Sequence, residues 1–494
     1  MAGEAAKSVS RTIGVLSFTK VLTWIASSAL MFFLPRYLGP AEYGKLYLGM
    51  SVVAMLGIIV DFGREYSVSK QISRDRDHAA QIVVNTSSAR LLIGVLAYVG
   101  MLVFADIAKY PDDVKLIFRI LGIMLLWRGL NSVLWSYFQG VEQMKWPSYG
   151  SIIESFLLAA LSIPFLLMGA KAATLASIVL FCGAVNVVVC SGFAWRLIHY
   201  IPRVDWHAAL RSLKQGIPYF LNSLFGVIYY RVATVMLSLM ATETVVGWYG
   251  ASYRFFDIIM FIPSIFSISI YPVLARSFED KEGLARMTRK SLDFILLLGI
   301  PIAIGTIAYS PVIIRLIFGL KGYQESITVL RVLGAGILLV YIDMMLGTTL
   351  LASDRQRQLS ISAFLAIFVN VGINLWLIPY TQARFGNGGI GAGIATNVTE
   401  FFIMITMIIM MPKHILRDSK VSVQLKAIAA GCVMILTIYL ASLVGIHWII
   451  SATVSSLVYC GLVYALGAVS RSELALIESA IPIGKFLALK RGKS

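Results

Sequence analysis

Charge is scarce in this chain: 14% of its 494 residues are Asp, Glu, Lys or Arg, where a soluble domain carries about 25%. That deficit excludes an ordinary water-facing surface. Cysteine is rare too, and Cys182, Cys190, Cys432 and Cys460 all fall inside apolar stretches, where they read as packing residues and not as a disulfide or metal framework. The five histidines, His78, His199, His207, His414 and His447, have no metal-ligand spacing and receive no chemistry. Gly492-Lys493-Ser494 imitates the end of a phosphate-binding loop. Its partner glycine would stand at 487, however, and that residue is Leu487, which argues against ATP hydrolysis. No polar segment between the apolar runs is long enough for a soluble catalytic domain, so the chain is expected not to be an enzyme, and no cofactor is implied.

What is present is apolar. Hydrophobic residues make up 58% of the chain, and the mean hydropathy is +0.82. A hydrocarbon core of about 30 Å needs roughly 20 apolar residues per helix. Fourteen such stretches can be placed, at 12–34, 46–67, 82–105, 116–139, 148–168, 174–198, 214–239, 248–273, 291–309, 326–351, 358–380, 390–411, 424–444 and 448–468. They are unbroken and lack period-2 alternation, so they predict an all-α integral membrane protein, not a barrel. The first run carries Lys20 and reads as a helix that stays in the membrane, with no cleaved signal peptide.

The loops alternate between basic and nearly neutral. Lys70, Arg74, Arg76, Arg196, Arg203, Arg211, Arg286, Arg289, Lys290, Arg355, Arg357, Lys413 and the tail residues Lys485, Lys490, Arg491 and Lys493 lie on the side of the N-terminus. Opposite them basic residues are sparse, among them Arg36, Lys45, Lys109, Lys115, Lys171, Lys321 and Arg384. This bias predicts a bacterial or archaeal cytoplasmic-membrane protein with both termini in the cytoplasm. It also accounts for the net charge of +17 without nucleic acid: the basic residues sit in many short loops beside anionic headgroups. A turn at `PRYLGPAEYG` in the first segment pair has a counterpart at `MATETVVGWYG` in the seventh and eighth segments. Two six-helix lobes are therefore expected, an N-terminal lobe at 1–205 and a C-terminal lobe at 206–412, with helices 13 and 14 and the basic tail at 413–494.

Charges within the spans carry the functional reading, because each costs about 2.5 to 3.5 kcal/mol at a helix centre. Arg128 and Arg231 lie nearest mid-span. Arg128, Asn131, Ser132, Trp135 and Gln139 share one helix face, as do Tyr230, Arg231, Thr234 and Ser238. Two such stripes predict a hydrated cavity lined by guanidinium groups, whose planar forks suit a pyrophosphate. Pairing of these arginines with Glu154 or Glu400, for helix packing alone, is the alternative. Arg254, with Arg128 and Arg231, is a candidate for the pyrophosphate site, and Lys20, Arg64 and Arg90 are candidates for guiding the ligand in. Asp257 lies three residues from Arg254, and Asp61 three from Arg64, so each pair can meet on one helix face. Glu154, Asp257, Asp343 and Glu400 are the candidates for a coupling H+ or Na+. Tyr230, Trp135, Tyr249, Tyr253 and Asn222 could touch sugars, although packing between helices explains the aromatic ones as well.

At these residues a resemblance enters. `PRYLGPAEYGKLYLGMSVVAMLGIIVDFG` at 35–63 and `GIPYFLNSLFGVIYYRVATVMLSLMATETVVGWYGASYRFFDIIMFIPSIFSISIYPVLAR` at 216–276 resemble the two half-signatures of Wzx-type oligosaccharide flippases. These form the polysaccharide transporter branch of the multidrug/oligosaccharidyl-lipid/polysaccharide exporter superfamily. The family's Asp two residues past Arg231 is Ala233 here, so no ion-coupling role is carried over to that position. The resemblance implies a V-shaped bundle with a central cationic cavity. It also implies alternating-access movement of a polyprenyl-pyrophosphate-linked oligosaccharide to the outer leaflet, for O-antigen, capsule or exopolysaccharide. Implied partners are that lipid-linked oligosaccharide, membrane lipids, and the polymerase and glycosyltransferases of its pathway. A multidrug antiporter, a flippase for the lipid-linked peptidoglycan precursor, and a membrane glycan polymerase or ligase are the alternatives.

Overall fold

The computed structural model describes the backbone of residues 2–61, 66–198, 202–416 and 422–468. Every regular element among them is a helix, as the unbroken apolar runs predict. The chain enters as α1 (Ala2–Asp61), which breaks at Gly39. There φ is 74°, a left-handed value that glycine adopts without a Cβ penalty, and Pro40 restarts the helix with its preset φ. The predicted turn between the first two spans is this break.

The short helix α2 (Tyr66–Arg74) precedes α3 (Ala79–Ile107), α4 (Asp112–Gly122), α5 (Met124–Gly140), α6 (Lys145–Leu167) and α7 (Ala172–Ile198). Next come α8 (Trp206–Met240), α9 (Glu243–Ile259), α10 (Phe261–Arg276), α11 (Lys281–Ala308) and α12 (Ser310–Ile317). The last six are α13 (Ser326–Ala352), α14 (Gln356–Phe385), α15 (Gly388–Met410), α16 (Lys413–Leu416), α17 (Ser422–Leu443) and α18 (Trp448–Ala465). Twelve stretches among the described residues are long and apolar enough to cross a membrane, and Leu224–Met240 is a shorter apolar helix. The protein is a multi-pass, all-α membrane protein. The predicted count of fourteen is approximate: the seventh predicted span is met by the shorter Leu224–Met240, and the fourth and eighth are each a single crossing made of two helices, α4 with α5 and α9 with α10, breaking at Ile123 and Met260.

Contacts divide the chain into two compact units. One comprises Met1–Asp257, Ile313–Leu333 and Arg357–Ile403; the other comprises Ile258–Val312, Gly334–Gln356 and Met404–Ser494. The first holds nearly all the predicted site residues. Near Gly39, Tyr323 donates to Pro35 O at 2.9 Å and Trp248 Nε1 to Gly322 O at 2.6 Å. Glu42 bridges elements there: it accepts from Lys45 at 2.8 Å and, through its other oxygen, from the first backbone N–H of α7 at Ala172, 2.9 Å away. Lys45 also pairs with Asp113. A carboxylate at a helix N-terminus satisfies an orphan donor and opposes the positive end of the dipole.

In the second unit, α17 and α18 pack with α11 around Ile300, Ala427, Met434 and Tyr459. Polar ties fix the register of that packing: Gln424 donates to Asp293 at 2.6 Å, Tyr459 to Leu297 O at 3.0 Å, and Tyr309 bonds Ser451 at 2.9 Å.

Candidate functional site

Two groups of the predicted residues assemble within the first unit. The first lies where the last turns of α1 meet α3 and α5. Arg128 on α5 directs Nε and Nη2 to a single oxygen of Asp61, Oδ2, at 2.9 Å each. Its guanidinium lies across the α1 backbone at Gly57, where an added Cβ would stand 2.5 Å from Nε and so displace the guanidinium. The two partners differ in environment: the Asp61 side chain is 3% exposed and that of Arg128 is 34% exposed. Arg90 on α3, 2% exposed, reaches α5 one turn further on and donates through Nη1 to Ser132 Oγ at 2.6 Å. The Ser132 hydroxyl in turn donates to Gly129 O at 3.0 Å. Helical geometry brings Gly57 to Asp61, and Arg128 to Ser132, onto single faces four residues apart.

The second group surrounds Arg231 on α8. Its Nη1 donates to Tyr47 OH at 3.2 Å, and its Cζ stands 5.8 Å from the Tyr230 ring centre. Tyr230 meets Tyr253 edge-on at 5.5 Å, and Tyr253 meets Tyr249 at 5.3 Å. Asp257 is near enough to Arg231 and Arg254 to interact electrostatically with both. Among the described residues no ion pair within 4.0 Å joins Arg254 to Asp257, and Arg254 is exposed. The guanidinium of Arg231 is therefore held by phenols and a ring face, with a carboxylate at longer range.

The remaining candidates lie apart from these groups. Glu154 on α6 accepts from Asn186 on α7 at 2.5 Å, and the Cys190 thiol leans on the same Asn186 at 3.2 Å. Glu400 on α15 accepts from Tyr229 and is buried beside Thr399, which accepts from Asn370 at 3.1 Å. Asp343 is buried in the second unit. Trp135 packs against the core of Val68, Ile72, Val133 and Phe138. Tyr249 and Tyr253 are 1% and 3% exposed, the environment of packing residues. The side chains of Lys20 and Asn222, and all of Arg64, lie outside the described residues.

Several partners were not legible beforehand. Asp61 is neutralised across helices by Arg128, whereas Glu154 accepts from Asn186 and Glu400 from Tyr229. Gly57 stands one turn before Asp61, the sole signal that a side chain from elsewhere crosses α1 there. Tyr47 stands within the quoted signature but carried no sign of touching Arg231, and Asn186 sits in an otherwise apolar span. The polar stripe on α8 does continue upward: Ser238 bonds Tyr110 at 2.6 Å.

Comparison with known proteins places this geometry. A family model described as "polysaccharide biosynthesis protein" matches residues 9–278. A protein of Shigella flexneri described as an O-antigen transporter is 25% identical over 321 residues, spanning 62% of this chain and 75% of the relative. The fold is similar to that of the lipid II flippase MurJ in an inward closed conformation, with a TM-score of 0.70 at 14% identity over 92% of this chain and 98% of the other. It is also similar to an inward-facing multidrug exporter of the MATE family, with a TM-score of 0.63 at 16% identity over 83% of this chain and all of the other.

Proposed function

The chain belongs to the polysaccharide biosynthesis protein family, and from that membership we propose that it is a flippase carrying polyprenyl-pyrophosphate-linked oligosaccharides from the cytoplasmic to the outer leaflet. Its relative's description as an O-antigen transporter points to a surface polysaccharide as the destination. The fold is shared with both a lipid flippase and a multidrug exporter, so the choice between them rests on the site. The observation that supports a phosphorylated lipid is the gathering of Arg90, Arg128 and Arg231 inside one compact unit, with Arg128 left one-third exposed. An exporter of organic cations would need the opposite balance of charge.

The cargo has a head too polar to cross about 30 Å of hydrocarbon unaided and a tail too apolar to leave it. The protein therefore has to offer hydrogen-bond donors to the head while the tail remains in lipid. Arginine forks supply charge-assisted, bidentate donors to the pyrophosphate oxygens. Arg128 and Arg231 act as the main contacts, Arg254 adds a third, and the phenols around Arg231 offer hydroxyls to the sugars. Alternating access between the two lobes, with both termini cytoplasmic, exposes the site to each leaflet in turn. The chain itself performs no bond chemistry, and a gradient of H+ or Na+, received at Glu154, Asp257, Asp343 or Glu400, makes the movement directional.

The test is Arg231→Ala in a strain whose surface glycan depends on this gene. Export should stop while the amount of protein in the membrane stays at the wild-type level. Export at the wild-type rate would remove the pyrophosphate role.

A further inference from the structure

The ion pair of Arg128 with Asp61 is lopsided in a way that a purely structural bridge does not require. Both donors converge on one carboxylate oxygen, the carboxylate is shielded from solvent, and the arginine is not. Among the described residues Arg128 Nη1 carries no hydrogen bond, so one edge of the fork is committed to Asp61 and the other is available. Gly57 keeps the guanidinium flat against α1 and within reach of Asp61. Nearby, the buried Arg90 is anchored to Ser132, with its Cβ 3.2 Å from where a Cβ on Gly129 would stand, directly beside Arg128 in sequence.

We propose that Asp61 is a positioning residue that tempers the anion site: it holds Arg128 between cargoes and competes with the pyrophosphate for it, so that the cargo can be released. This rests on the flippase reading above. An anion arriving at the free edge of Arg128 meets a guanidinium whose charge is already opposed by a carboxylate in a low-dielectric setting, which weakens its binding. Once the anion moves on, the pair with Asp61 is still in place, so no desolvated, unpaired arginine is left behind. A transporter gains turnover from such a competitor because a cargo bound too tightly is not let go. An interaction equally strong at every stage of the cycle lowers KM without raising kcat.

The expected signature is a split between affinity and turnover. A hydrogen bond to a charged group has a net strength on the order of a tenfold change in binding. Loss of the same coupling in Asp61→Asn should therefore tighten farnesyl pyrophosphate binding to the detergent-purified full chain by about tenfold or more. In proteoliposomes carrying a short-chain polyprenyl-pyrophosphate sugar, KM and kcat should both fall in this variant. Asp61→Glu, which keeps the countercharge, should restore values near wild type. If Asp61→Asn does not yield folded protein, Gly57→Ala reads the same coupling, because its Cβ pushes the guanidinium away from Asp61, and tighter binding is again expected. Unchanged or weaker binding in the folded variant, with Arg128→Ala still weakening binding, overturns the role of Asp61 alone. Wild-type binding in both Arg128→Ala and Arg231→Ala overturns the flippase site itself.

Discussion

Gly44 and Gly247 face each other across the crossing of α1 and α9: a Cβ on Gly44 would overlap the carbonyl oxygen of Glu243, and a Cβ on Gly247 would overlap that of Pro40. The contact is reciprocal, each helix presenting an acceptor and, four residues later, a glycine. Backbones approach this closely in membranes where small residues permit it, with Cα–H donors against carbonyls. The two residues belong to the two turns whose likeness suggested an internal repeat. Because the obstructing atoms are backbone, no side-chain rotation relieves an added methyl group. Gly44→Ala and Gly247→Ala should each destabilise by about 1 to 3 kcal/mol, and the double variant by less than the sum. Thermal unfolding in detergent checks this; unchanged midpoints in both single variants would show that the helices do not touch.

Tyr47 holds Arg231 by a single hydrogen bond at 3.2 Å. Tyr47→Phe keeps the ring and removes the acceptor, which should cost about 0.5 to 1.5 kcal/mol. Glycan export should fall only in part, well short of the loss expected in Arg231→Ala. Equal losses in a surface-glycan assay would mean that the hydroxyl, and not the guanidinium, is the group that matters.

Glu42 joins Lys45 and the first N–H of α7. Glu42→Ala removes a cap and an ion-pair partner together and should cost about 1 to 2 kcal/mol, with Lys45 still paired to Asp113. Glu42→Gln, which can still accept from Ala172, should recover part of that loss. The ordering of the three unfolding midpoints is the measurement.

Asn186→Leu leaves the Glu154 oxygen without its 2.5 Å donor inside the membrane. An unmet buried polar group costs about 1 to 3 kcal/mol. The double variant Asn186→Leu with Glu154→Leu should regain stability relative to the single one, because neither polar group then remains. A double variant less stable than Asn186→Leu would place the cost elsewhere.

Asp75 and His78, on the loop after α2, hydrogen-bond at 2.9 Å. The bond to Asp75 raises the His78 pKa above the usual 6.5, and the bond to His78 lowers that of Asp75 below 3.8. With the histidine pKa raised in the folded state, its contribution is complete below 6.5 and is lost as pH rises through the folded value. The carboxylate, shifted the other way, contributes above 3.8 and loses that contribution as pH falls through its own folded value. The small difference in unfolding midpoint between wild type and Asp75→Asn should therefore be widest near pH 5 and vanish in alkaline buffer. A difference that grows with pH would contradict the pairing.

How far the site could be read in advance depends on the range of each interaction. Mid-span Arg128 and Arg231 stood out because hydrocarbon makes any charge expensive, and that cost is visible one residue at a time. Their partners did not stand out. Asp61 had a nearer basic residue in Arg64, and Tyr47 looked like one aromatic among many. Trp135 shared a helix face with Arg128, yet it packs into an apolar cluster, because a five-residue stripe on α5 turns through more than one neighbour as the helix passes them.

Sequence alone determined the helical, membrane-embedded character, a turn within 35–44 and which charges are costly inside a span, since each follows from chain-local physics: apolar length, the preferences of a Gly-Pro step, the solvation of a charge. Only the tertiary structure decided that Arg128 answers to Asp61 over Gly57, that Arg231 answers to Tyr47, and that Gly44 meets Gly247. Those pairings depend on which helices become neighbours, and that is a property of packing between segments far apart in the chain.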